Sequence, residues 1–224
     1  MARHGYQPGR AVKVQLRYPT KLTFEEYVNA RAWEQASLEA CPVCPPGQCR
    51  LEGHGTYVRK VPAPAEVARF RCPVTGTTIG LLPDFYASRM PGTLSDLEEA
   101  VARAEQAPTV EAAANELRPA DETEAVTLPT AVRWVRRRLA VVRSTLATVR
   151  GLMPALFEAC EITVRSFRAV LGTSNVLVAL REICERHLHM LPAPLGLAPP
   201  APGDLRRGRR GQQWSGPDPP ASEA

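Results

Sequence analysis

Residues 12–18 (VKVQLRY) alternate apolar and polar side chains, the period of a short half-buried strand. Thr23 and Glu26 have capping-box spacing and predict a helix running to about Ala40. Tyr57–Val61, Val67–Cys72 and Thr77–Leu82 read as three strands, the first two joined by a Pro-rich loop. Pro91-Gly92 interrupts the chain, and the period then becomes helical. A Ser95/Glu98 capping box precedes Leu97, Val101 and Ala104, and Thr109–Leu117 reads as a short Ala-rich helix. Val132, Val135, Leu139, Val142, Leu146 and Val149 then recur in steps of three and four, a narrow apolar seam on a long helix over 129–149. A helix over Ala155–Leu171 should stop at Gly172. A last helix, capped by Ser174 or Asn175, turns Leu177, Leu180, Cys184, Leu188 and Leu191 inward.

The order of elements is that of an α+β chain in four parts. They are an N-terminal strand and helix (1–40), a small β-rich module (41–90), a mainly α-helical module (91–191) and a Pro- and Arg-rich tail (192–224). The tail holds eight of the 22 prolines and is expected to be disordered.

Charge sharpens this division. The 224 residues carry a formal net charge of +5. That average conceals a stretch over 84–125 with ten acidic and three basic residues, followed by 126–157 with six Arg and no acid. Local fields of this kind decide whether a polyanion is attracted. No apolar run reaches the ~18 residues of a spanning helix. The N-terminal residues lack the apolar core of a secretory signal, so a reducing cytoplasm is expected, with the six Cys as thiols or metal thiolates.

Cys41-Pro-Val-Cys44 is a C-x2-C knuckle, whose tight turn sets two thiolates on one side, ready to share a tetrahedral Zn²⁺. Cys72 follows after the predicted hairpin. The order of knuckle, strand, loop, strand and half-knuckle is the plan of a zinc ribbon, but Thr75 stands where a second-knuckle cysteine belongs. Cys49 is the first choice for the fourth ligand, and His54 the alternative. The energetic motive is size: a module of about 50 residues with few large apolar side chains buries too little surface alone. Structural zinc contributes about 10–16 kcal/mol in small zinc-finger peptides.

The chain resembles a little-characterised group of bacterial proteins with a transposase-type zinc ribbon, associated with insertion sequences. The resemblance rests on Cys41-Pro-Val-Cys44, His54-Gly55-Thr56-Tyr57-Val58-Arg59, Arg69-Phe70-Arg71-Cys72-Pro73, Gly76-Thr77-Thr78, Leu81-Leu82-Pro83 and the block from Arg133 to Arg138. It spans about 41–190, and it implies nucleic-acid binding linked to mobile elements.

The helices over 94–105, 109–117 and 129–149 suit a helix-turn-helix-like trio. The last would present Thr130, Arg133, Trp134, Arg136 and Arg137 from its first turns. Arg133, Arg136, Arg137 and Arg143 flank the seam, and the guanidinium fork suits a phosphate or a guanine edge. Against this, the loop over 118–127 exceeds the usual tight turn and carries Asp121, Glu122 and Glu124. The acidic stretch could pair with the basic helix and shield it. Cys184, His187 and His189 make a poor ligand set, because His189 leaves the shared helix face. Cys160 reads as a small core residue. RRGRR over 206–210 is a phosphate anchor or simply a solvated tail.

These readings converge on a non-enzymatic nucleic-acid-binding protein, DNA being the favoured target. Zinc would be held by Cys41, Cys44, Cys49 and Cys72, and phosphate contacts would come from Arg133, Arg136, Arg137 and Arg143. The alternative is a protein-interaction or oligomerisation module, serving as an accessory subunit of a transposition complex. There the helical seams would bury against a partner or a second copy.

Overall fold

A computed structural model describes residues 13–118 and 126–197. The acidic loop residues Asp121, Glu122 and Glu124, and the 206–210 arginines, lie outside the described residues. The order is β1 (Lys13–Tyr18), α1 (Phe24–Asn29), β2 (Glu52–Arg59), β3 (Ala65–Arg71), β4 (Thr78–Pro83), α2 (Leu94–Gln106), α3 (Val110–Glu116), α4 (Leu128–Leu152), α5 (Pro154–Phe157), α6 (Val164–Leu171) and α7 (Val176–Ile183). The chain is therefore α+β.

The strands form one mixed sheet in the order β1-β4-β3-β2. β1 runs parallel to β4, while β3 is antiparallel to both β4 and β2. The strand expected at the N-terminus thus belongs to the same sheet as the three that follow. β2 begins at Glu52, ahead of the Tyr57 start predicted from polarity. Its first residues, exposed Glu52 and Gly53, carry no apolar signal but pair with Arg71 and Phe70 of β3. A bulge between Gly53 and Thr56 is turned by Gly55 at φ 68°.

α1 is shorter than predicted. Its Thr23/Glu26 capping box forms, but the helix ends at Asn29 rather than near Ala40. Arg31 takes a left-handed φ of 48° and the chain enters a short 3-10 turn over Ala32–Glu34. That turn buries Ala32 and brings Trp33 against Tyr27, whose ring centroids lie 5.6 Å apart. α2 is capped by Thr93 with Asp96, not by Ser95 with Glu98. The helix expected over 155–171 is split into α5 and α6, with Thr163 capping α6 through its hydroxyl. α6 ends at Gly172 in the left-handed region, where a side chain would be strained. α7 gives way at Cys184 to a 3-10 turn, although Leu188 and Leu191 remain buried.

One apolar cluster joins the sheet to the helices, from Tyr27, Val67 and Leu82 through Leu97, Val135, Val142 and Phe167 to Leu195 and Leu197. All six predicted seam residues of α4 are buried within this chain. The apolar seam on which the interaction alternative drew is therefore already covered by the protein itself.

Residues 192–197 correct the tail prediction, for they are threaded into the fold. Thr145 Oγ1 donates to Ala193 O (2.8 Å), and Arg181 Nη2 and the Ser88 amide donate to Pro194 O (2.7 and 2.8 Å). A Cβ at Gly196 would fall 1.9 Å from Leu191 O, so glycine is required there. Among the described residues no helix is long and apolar enough to cross a membrane.

Candidate metal centre and basic helix

The segment between α1 and β2 has no regular structure beyond the 3-10 turn, so its course is set by turns. After the Cys41–Cys44 knuckle comes Pro45-Pro46-Gly47-Gln48. The Gln48 amide donates to Pro45 O at 3.1 Å, and Gly47 has φ 79°. Proline followed by glycine at positive φ is the signature of a type II turn. It folds the chain back so that Cys49 lies beside the knuckle.

Cys72 closes β3 from the other side. Its amide donates to Thr77 O and its carbonyl accepts from Gly76, both at 2.9 Å, in a turn made possible by Gly76 at φ 70°. Thr75, where a second-knuckle cysteine was looked for, donates its amide to Cys72 Sγ at 3.4 Å. Burial opposes ionisation of Cys72, but hydrogen bonds from Thr75, Cys44 and the Val74 amide outweigh it and bring the thiol down to about 6. Burial, with bonding to the other thiols, pushes Cys49 up. The bond to Cys72, followed by burial, raises Cys44.

Cys41, Cys44, Cys49 and Cys72 have sulfurs all within 4.8 Å of one another. Cys44 and Cys72 are 3.5 Å apart, and Cys49 and Cys72 3.8 Å. These are free thiols. A tetrahedron with ~2.3 Å metal–sulfur arms has edges of about 3.8 Å, so this spacing suits one metal ion in a closed four-sulfur shell. Cys72 is fully buried and the other three are half-buried. His54, the alternative ligand, is exposed on β2 and outside this group. Cys160 and Cys184 are buried elsewhere, Cys184 with its sulfur 3.5 Å from Met153 Sδ.

The second set of site residues falls on α4. Arg133, Arg136, Arg137 and Arg143 are all exposed, on a helix that carries no acidic residue. Arg133 Nη2 donates to Thr130 Oγ1 (3.2 Å), and Arg136 Nη2 to Glu111 Oε1 on α3 (2.8 Å). Arg138 lies over the Trp134 ring, 3.5 Å from its centroid. Burial, with repulsion from Arg137, lowers its pKa to about 10. That stacking covers one face of the Trp134 ring, which is otherwise partly exposed.

Several charged residues that order the scaffold escaped the sequence reading. Glu98 is buried, accepting from the Leu177 amide and from Arg168, both at 2.9 Å. Glu105 accepts from the Val164 amide at 3.0 Å. Two carboxylates two turns apart on α2 thus cap the N-termini of α7 and α6. Arg181 is fully buried, donating to Asp84 O, Tyr86 O and Pro194 O at 2.7–2.9 Å. The available signal was positional: Glu98 lies between Leu94 and Val101, and Arg181 between Leu177 and Cys184, each on an apolar stripe. No protein-family model, no curated protein and no solved structure matches this chain.

Proposed function

We propose that the chain is a non-enzymatic nucleic-acid-binding protein, acting on DNA in connection with transposition. One zinc ion holds its ribbon-like half together. The four converging sulfurs carry the zinc part of this reading. Zinc takes four thiolates in tetrahedral array without geometric strain, and a shell with no open position is structural rather than catalytic. Four free thiols suit a reducing compartment, the cytoplasm.

The nucleic-acid part rests on α4, which offers exposed Arg133, Arg136, Arg137 and Arg143 beside its buried seam. α3 and α4 would act as a helix-turn-helix-like pair, with any catalysis left to another chain. Fluorescence anisotropy on a labelled DNA duplex tests this. Phosphate contacts from four arginines give a slope of log K against log[salt] of about −3 to −4. Arg136→Ala with Arg137→Ala should make it shallower by about two. Absence of binding at low salt, or binding unchanged in the double variant, would reject the reading.

A further inference from the structure

The acidic helix α3 packs on the basic helix α4 through Ala113 and Ala114, both fully buried. This packing places Glu111, a turn before them, with its carboxylate 2.8 Å from the Arg136 guanidinium. Both side chains are more than half exposed, so the pair lies at the surface where a phosphate would approach. A carboxylate presents the same two-oxygen face to the guanidinium fork as a phosphate does.

We propose that Glu111 is a built-in competitor for the polyanion. It occupies Arg136 in the free protein and must be displaced before that arginine grips a phosphate, so α3 sets the threshold of affinity for α4. This inference rests on the nucleic-acid reading above. The exchange is of one anion for another on a fixed cation, with no covalent step. Its size is bounded by the pair it breaks: an exposed pair of this kind is worth at most about a five-fold change in an equilibrium.

The test is a double-mutant cycle on the full chain, using anisotropy with a labelled DNA duplex at low salt. Wild type, Glu111→Gln, Arg136→Ala and the double variant are compared after circular dichroism shows the same helix content. Glu111→Gln is expected to tighten binding about two- to five-fold, and to have no effect in the Arg136→Ala background. Unchanged or weaker binding by Glu111→Gln overturns the competitor role while leaving the nucleic-acid reading intact. So does equal tightening in both backgrounds, which marks a diffuse charge effect. Failure of all four proteins to bind removes the nucleic-acid reading and the competitor with it.

Discussion

Arg181 shows how much of this fold hangs on single polar side chains. It stays inside because three carbonyls converge on it from two separate segments: Asp84 and Tyr86 of the loop after β4, and the threaded residue Pro194. Burial lowers its pKa to about 10, which still leaves it charged at neutral pH. Arg181→Met should cost at least about 2 kcal/mol, since Asp84 O and Tyr86 O lose their donor while Pro194 O keeps the Ser88 amide, and each buried carbonyl left without a donor costs ~1–3 kcal/mol. Urea unfolding followed by tryptophan fluorescence measures this, and a loss below about 1 kcal/mol would show that the carbonyls find other donors. Near Arg181, Arg17 forks onto Asp84 at 2.8 and 2.9 Å, tying β1 to the same loop. A Leu177-to-Cys184 stripe with an arginine in it reads from sequence as an apolar face with one polar intruder. Nothing in that spacing tells which distant carbonyls the intruder will meet.

At the scale of elements, α2 organises the helical half through its two inward glutamates. Burial, opposed by the Val164 and Arg165 amides and by Arg143 and Arg168, raises Glu105 above the ordinary carboxylate value. The folded state then holds this proton more tightly than the unfolded chain. Its contribution to stability is full at acid pH and falls as pH rises through the folded value. Glu105→Gln keeps an acceptor for α6 and cannot ionise. It is therefore expected to be at least as stable as wild type at pH 7, the difference shrinking as pH falls toward about 4, as read from urea midpoints. Glu98→Ala should destabilise by about 1–3 kcal/mol, because it strands the Leu177 amide and takes the carboxylate from Arg168.

Helix positions were legible where the apolar period was long, as with the α4 seam from Val132 to Val149. Ends were legible where local chemistry decides them, as with the Thr23 cap and Gly172. The end of α1 was hidden, because packing of Ala32 and Trp33, not a helix breaker, forces Arg31 into the left-handed region. The early start of β2 was hidden for a related reason: Glu52 and Gly53 are strand through pairing with Arg71 and Phe70 of β3, with no apolar period of their own.

For the whole molecule, the sulfur cluster joins two segments that secondary structure leaves apart. Cys41, Cys44 and Cys49 stand on an irregular loop, and Cys72 on the turn between β3 and β4. That these four cysteines come together was legible because the knuckle spacing and the strand, loop, strand order before Cys72 can be read along the chain. The threading of 192–197 was not, since Pro-rich composition masks two leucines whose pockets are built by remote residues. If zinc is bound by the folded state, the thermal midpoint should rise with free zinc and fall on adding a chelator, by mass action. A midpoint insensitive to both would mean that the sulfurs pack without metal. The most direct measurement of the central claim is native mass spectrometry of the protein purified under reducing conditions, with Cys41→Ser and Cys72→Ser beside it. One zinc per chain in wild type, lost in both variants, is the result expected. Wild type without zinc, or zinc retained in both variants, would contradict it.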